Sequence, residues 1–173
     1  MISVQTAHVT TRRPWPVVAL IAMLLLLGIS ALAGGVAMVF GIAGDIKLPQ
    51  AWLDGIPHID SWVIPGLVLG LGFGVGSLVV AHGVIRRPEW HWLNWVESLT
   101  GHHWSWAGAL VIGAGHVIWI LLELAFLPEA TWLQAVYGSV GVGLVVLPLL
   151  PTLRDHLVVH RGRSTSPKAQ VAP

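Results

Sequence analysis

Glu123 and His116 are the residues best placed to do chemistry, because both fall inside a long stretch with no other charge. Spaced seven apart, they share one helical face with Ile112, Trp119 and Ile120. An ionisable side chain held in hydrocarbon is costly and points by default to a proton or cation pathway. A quieter role fits the same positions. Glu123 stands about four residues from the outer end of its span, roughly 6 Å deep at helical rise, where it can reach toward the interface or Lys47. The two groups are also about 10 Å apart along the helix, too far for a direct hydrogen bond.

A second set is made of histidines. His82 lies near the inner end of the second apolar run, and His102 and His103 open the third. Imidazoles paired between helices can hold haem or a divalent metal. His82 and His116 pair badly, since their depths differ by roughly 13 Å. No carboxylate is fixed beside the histidines by spacing, so interfacial histidines bonded to water or headgroups are the expectation, and no cofactor is expected. In the outer loop, Asp54, His58 and Asp60 could ligate a metal, but Asp54-Gly55 and Pro57 read as turn chemistry, with Asp60 or Ser61 as a helix cap. His156 and His160 stand one turn apart beyond the fourth run, ahead of a polar tail.

Other chemistry is excluded more firmly. The chain has no cysteine, which removes disulfides, thiolate metal sites and thiol catalysis. No phosphate-binding loop, nucleophile elbow, paired catalytic carboxylates or zinc-protease motif is present. Nucleic-acid binding has no support, because the basic residues are few and topology accounts for them.

The elements that must position these groups are apolar helices. Of 173 residues, 55% are hydrophobic and 10% charged, well below the roughly 25% charged of a soluble domain. Four uncharged stretches exceed the ~18 residues that mark a membrane span. The predicted spans run over 17–43, 62–85, 104–127 and 132–153, between tails at 1–16 and 154–173. Pro65 sits in the first turn of the second span, and Pro148 and Pro151 are placed to bend the end of the fourth. Ala31-Leu32-Ala33 before Gly34 has the look of a signal cleavage site, but the apolar run continues past a signal core of about 7–15 residues. The expectation is a retained span.

Eight of the nine basic residues fall on one side of the predicted spans, Lys47 being the exception. The positive-inside rule makes that side cytoplasmic, with both termini there. Arginine outnumbers lysine, and Ala, Gly, Val and Pro are abundant, the bias of a GC-rich bacterial genome; the expected location is a bacterial plasma (inner) membrane. Nine of the ten tryptophans fall at or just outside span ends, where an indole finds both an apolar setting and a partner for its N–H. Trp119 alone lies inside a span.

Two patterns concern contacts. In the inner loop, Trp92, Trp95, Val96 and Leu99 recur at helical spacing, Pro88 and Glu89 suit a helix start, and Gly101 suits its stop. This predicts a short amphipathic helix over about 88–100 lying in the cytoplasmic interface, as an anchor in lipid or a docking surface for a partner. Gly66, Gly70 and Gly74 repeat every four residues on the second span, with Gly72 and Gly76 in an adjacent row. Small residues let helices approach closely in lipid, within one bundle or between copies of the chain.

Several short segments carry a resemblance: Gly34-Gly35, Leu48-Pro49, Trp52-Leu53, Ile64-Pro65-Gly66-Leu67, Arg86-Arg87, Trp119-Ile120, and Trp132-Leu133-Gln134 followed by Tyr137 and Gly141. Over roughly residues 28 to 150 the chain resembles a group of small bacterial, largely actinobacterial, four-helix integral membrane proteins without an assigned activity. The resemblance implies the fold and no activity. Glutamine often stands at the Glu123 position in that group and an aliphatic residue at that of His116, which argues against proton carriage by either. The inner loop is longer here.

The expectation is therefore an all-α membrane protein, a four-helix bundle serving as an accessory or interaction subunit, with lipid and either a membrane-complex partner or a second copy as contacts. A small transporter or channel subunit using Glu123 is the alternative. A metal or haem protein using His82 with His102 or His103 comes third.

Overall fold

A computed structural model describes residues 13–41, 53, 60–127 and 131–159. Among these residues the chain is helical throughout, with no strand and one isolated antiparallel bridge between His102 and Val158. Four helices are long and apolar enough to cross a membrane: α1 (Trp15–Phe40), α2 (Val63–Arg86), α4 (Trp104–Phe126) and α5 (Trp132–Leu149). Two short helices, α3 (Asn94–Thr100) and α6 (Pro151–Leu157), complete the set. The chain reads as a multi-pass membrane protein.

The four long helices form a ring in which α1 packs along α2, α2 against α4, α4 along α5, and α5 back against α1. Leu20, Leu24, Leu27, Phe73, Val80, Ala109 and Leu144 fill its centre. Arg13, ahead of α1, donates to the carbonyl of Ile85 at the end of α2 (3.2 Å), and Arg87 donates to the carbonyl of His156 on α6 (2.6 Å). Both ends of the described chain therefore meet at one end of the bundle, called basal below.

Glycines decide how close the helices come. A Cβ on Gly35 of α1 would lie 2.6 Å from the carbonyl oxygen of Gly66 and from backbone atoms of Gly70. Gly74 faces Leu32, and Gly28 faces Leu78. The row Gly66, Gly70 and Gly74 thus faces α1 inside the same bundle, backbone on backbone. The adjacent row splits: Gly76 meets Ile112 of α4, while Gly72 has nothing within 4 Å. Between α4 and α5, Gly113 lies under Leu144 and Gly141 under Val117 and His116.

The middle of α2 is wound as a π-helix over Val68–Val75. Its wider turn sets Gly70 and Gly74 against α1 while Phe73 reaches the rings of His116 and Trp119 on α4. Ends follow local chemistry. Gly41 closes α1 in the left-handed conformation (φ 64°), so that helix stops at Phe40, short of the predicted 43. The N–H of Thr131 donates to Gln134 Oε1 at 2.7 Å in a capping box that starts α5. Pro151 holds Leu150 extended (ψ 135°) and occupies the first turn of α6, so the predicted fourth span divides into α5 and α6.

Candidate functional site

The basal end gathers polar and aromatic groups around α3. Trp90 stays extended and stacks on Trp104 at 4.6 Å, which delays helix formation to a 3₁₀ turn at His91–Leu93. That turn shifts the register of the expected face. Leu93 and Val96 pack toward the core, whereas Trp92, Trp95 and Leu99 are left 71%, 62% and 77% exposed. Val96 is thus half-buried on the core side of a face whose other three members are exposed. Gly101, left-handed at φ 69°, ends α3.

Hydrogen bonds brace this platform. The indole N–H of Trp104 donates to Pro88 O (3.2 Å), and that of Trp106 to Pro148 O (2.8 Å). The N–H of His103 donates to Leu157 O (2.8 Å), and that of Val159 to Gly101 O (3.2 Å). His103 is buried and caps α4: Nδ1 accepts from the Ser105 N–H (3.4 Å), while Nε2 faces the acceptor Pro88 O at 3.3 Å. Nδ1 also lies 2.8 Å from the Ser105 hydroxyl, and Nε2 carries the proton that the Pro88 carbonyl accepts. Burial pushes the His103 pKa below its ordinary value, although the Pro88 carbonyl and Glu97 pull the other way. Glu97 Oε1 accepts from the Trp104 N–H (3.4 Å) and lies 3.9 Å from His103 Nε2.

Beside the platform is a cavity of about 340 Å³, bounded by Arg87, Glu89, His91, Asn94, Glu97 and His103, with Leu157 as an apolar wall. Arg87 lies left-handed at φ 49°, the one positive-φ residue other than glycine among those described. Burial, and then the neighbouring Arg13, push its guanidinium below its ordinary pKa.

The histidines proposed as cofactor ligands are not brought together. His82 is on the exposed face of α2, with no hydrogen bond or ring contact among the described residues. His102 is buried, with Nδ1 at 2.6 Å from Thr100 O and its ring stacked on Trp106. Among the described residues, no three His, Asp or Glu side chains are placed to hold a metal. Lys47, Asp54, His58 and His160 lie outside the described residues.

Further along the bundle, His116 is buried at the middle of α4, edge-on to Phe73 and Tyr137 at 5.2 and 6.1 Å. Among the described residues, neither ring nitrogen has a hydrogen-bond partner, and the same holds for the buried Ser77 hydroxyl on α2. Glu123 is half-buried and accepts from the Trp119 indole N–H at 2.6 Å. His116 and Glu123 share the α4 face but not a bond. Sequence reasoning missed Ser77, Phe73 and Tyr137, which have no polar spacing to mark them, and Arg87, whose left-handed backbone no motif announces.

Comparison with protein-family models, with curated proteins and with solved structures gives no match. The site therefore has to be read from its own geometry.

Proposed function

We propose that this chain is an accessory or interaction subunit of a bacterial plasma-membrane complex, with both termini cytoplasmic and α3 lying at the cytoplasmic interface as its contact surface. One observation carries the reading: α3 is pinned to the bundle on one side, while Trp92, Trp95 and Leu99 on the other side stand uncovered. Large aromatic and aliphatic side chains on a rigid support are the anchors from which interfaces draw most of their energy. The polar groups of the same region are engaged in holding it together, His103 and Glu97 at the start of α4 and His102 on Trp106. Basic residues at the basal end, Arg13, Arg86, Arg87 and Arg154, support the cytoplasmic assignment through the positive-inside rule. The glycine row faces α1 and takes one side of α2; the other side, with Leu67, Val68, Leu71, Gly72, Val75 and Val79, stays outward for lipid or a second copy. The likeness to small actinobacterial four-helix proteins agrees with this fold and lends no activity.

The test is purification from native membranes. The protein should carry a stoichiometric partner or a second copy, lost on replacing Trp92, Trp95 and Leu99 together by alanine. A lone monomer, or a complex indifferent to those replacements, overturns the proposal.

A second reading, a small transporter or channel subunit, draws on the mid-bundle imidazole with both nitrogens unbonded and on Glu123 further along the same face. It requires that Glu123→Gln abolish a proton- or cation-dependent flux in liposomes. Unchanged flux dismisses it.

A further inference from the structure

The basal cavity carries charge of both signs at one level of the bundle. Arg87 follows the last residue of α2, and His103 precedes the first of α4. With the four helices across a bilayer, both lie where headgroups begin.

Arg87 is an unexpected choice for its position. The left-handed backbone it adopts is the one glycine takes most easily, and a side chain there is disfavoured. It also stands close enough to Arg13 for the two cations to repel. Its one side-chain hydrogen bond goes to the His156 carbonyl, leaving its other guanidinium N–H groups without a partner among the described residues. Also lining the cavity, Glu89 is exposed and makes no hydrogen bond among the described residues, and Glu97 uses Oε1 alone there. Among the described residues, one guanidinium and two carboxylates line the cavity, with the imidazoles of His91 and His103 beside them. A simple anion would meet Glu89 and Glu97, and a simple cation would meet Arg87. Among the described residues, no cluster of ligands is set for a metal ion. A ligand that answers both sides carries an anionic group and an N–H-bearing cation a few ångströms apart.

We propose that this cavity binds a phosphoethanolamine group, the phosphate on Arg87 and the ammonium on Glu89 and Glu97. Guanidinium holds phosphate oxygens through paired N–H donors, and a primary ammonium supplies the N–H groups that a carboxylate accepts. A quaternary ammonium has none to give. The site thus discriminates against phosphocholine through Glu89, and against anionic headgroups through the carboxylate pair. This rests on the helices spanning the membrane and is independent of partner docking on Trp92, Trp95 and Leu99.

Native mass spectrometry of the full-length protein, from vesicles containing equal phosphatidylethanolamine, phosphatidylcholine and phosphatidylglycerol, reads the preference directly. The first lipid should be retained over the other two by about tenfold, as expected for one charge-assisted hydrogen bond gained or lost. Arg87→Gly, which suits the left-handed backbone, and Glu89→Gln, on an exposed residue, should each remove most of that preference, Glu89→Gln without changing the unfolding temperature. Free phosphoethanolamine added to the spray solution separates the sources: displacement assigns the group to a soluble compound, and retention of the lipid assigns it to the bilayer. Equal retention of the three lipids overturns the proposal. So does a preference that survives both substitutions.

Discussion

The indole N–H of Trp119 donates to Glu123 Oε1 across 2.6 Å, with the two residues one turn apart on α4. The carboxyl that stands out in an apolar helix therefore finds its partner on its own helix. Phe73 of the π-helical segment packs edge-on against the same indole at 5.9 Å, tying the pair to α2. Removing the donor leaves a half-buried carboxyl unbonded, so Trp119→Phe should cost about 1–3 kcal/mol, whereas Glu123→Gln keeps an accepting oxygen and should cost less than about 1 kcal/mol. Thermal unfolding in detergent measures both. Equal losses would contradict the pairing.

Gly35 and Gly72 make a matched contrast. A methyl group on Gly35 meets backbone of α2 at 2.6 Å, which cannot rotate away, while one on Gly72 meets nothing. Gly35→Ala should destabilise by about 1–3 kcal/mol through overpacking. Gly72→Ala should be neutral or stabilising by up to ~1 kcal/mol, because alanine is the better helix former. Unfolding by a denaturing detergent ranks the two variants.

His103 and His156 give a pH dependence of definite sign. Burial lowers both pKa values from 6.5, for His156 with Arg87 and Arg13 acting in the same direction. The unfolded chain then binds protons that the folded chain refuses. Stability from these groups is fully present above pH 6.5 and is lost as pH falls through the lowered folded values. Melting temperature should decline below that point, and His103→Asn, which still caps a helix, should flatten the decline. A bundle that grows more stable on acidification would reverse the sign.

His116 offers a test of buried polarity. Its ring nitrogens are unbonded among the described residues, and a buried group in that state costs about 1–3 kcal/mol. His116→Leu should therefore melt no lower than the parent chain. A clear loss of stability would mean that the imidazole is bonded in the membrane.

The four long helices were legible because twenty or so uncharged residues in a row have few structural options. Gly66, Gly70 and Gly74 could be read as a packing row, since spacing of four places them on one face. Which helix they meet could not be read, because Gly35 gives no sign of its partner. Which residues of the α3 face meet the core could not be read: Val96 fits the periodicity with Trp92 and Leu99, yet it is half-buried against the bundle while they are exposed. His82 and His103 looked equivalent by depth, and only packing separates an exposed ring from one capping α4. Each shortfall lies in long-range packing that local spacing does not encode.

A photocrosslinking residue placed at Trp95 in native membranes, with one at Leu149 on the outward face of α5 as control, tests the docking face most directly. The account predicts a discrete protein adduct of constant mass from Trp95 and none from Leu149. Adducts of lipid alone from both positions would contradict it.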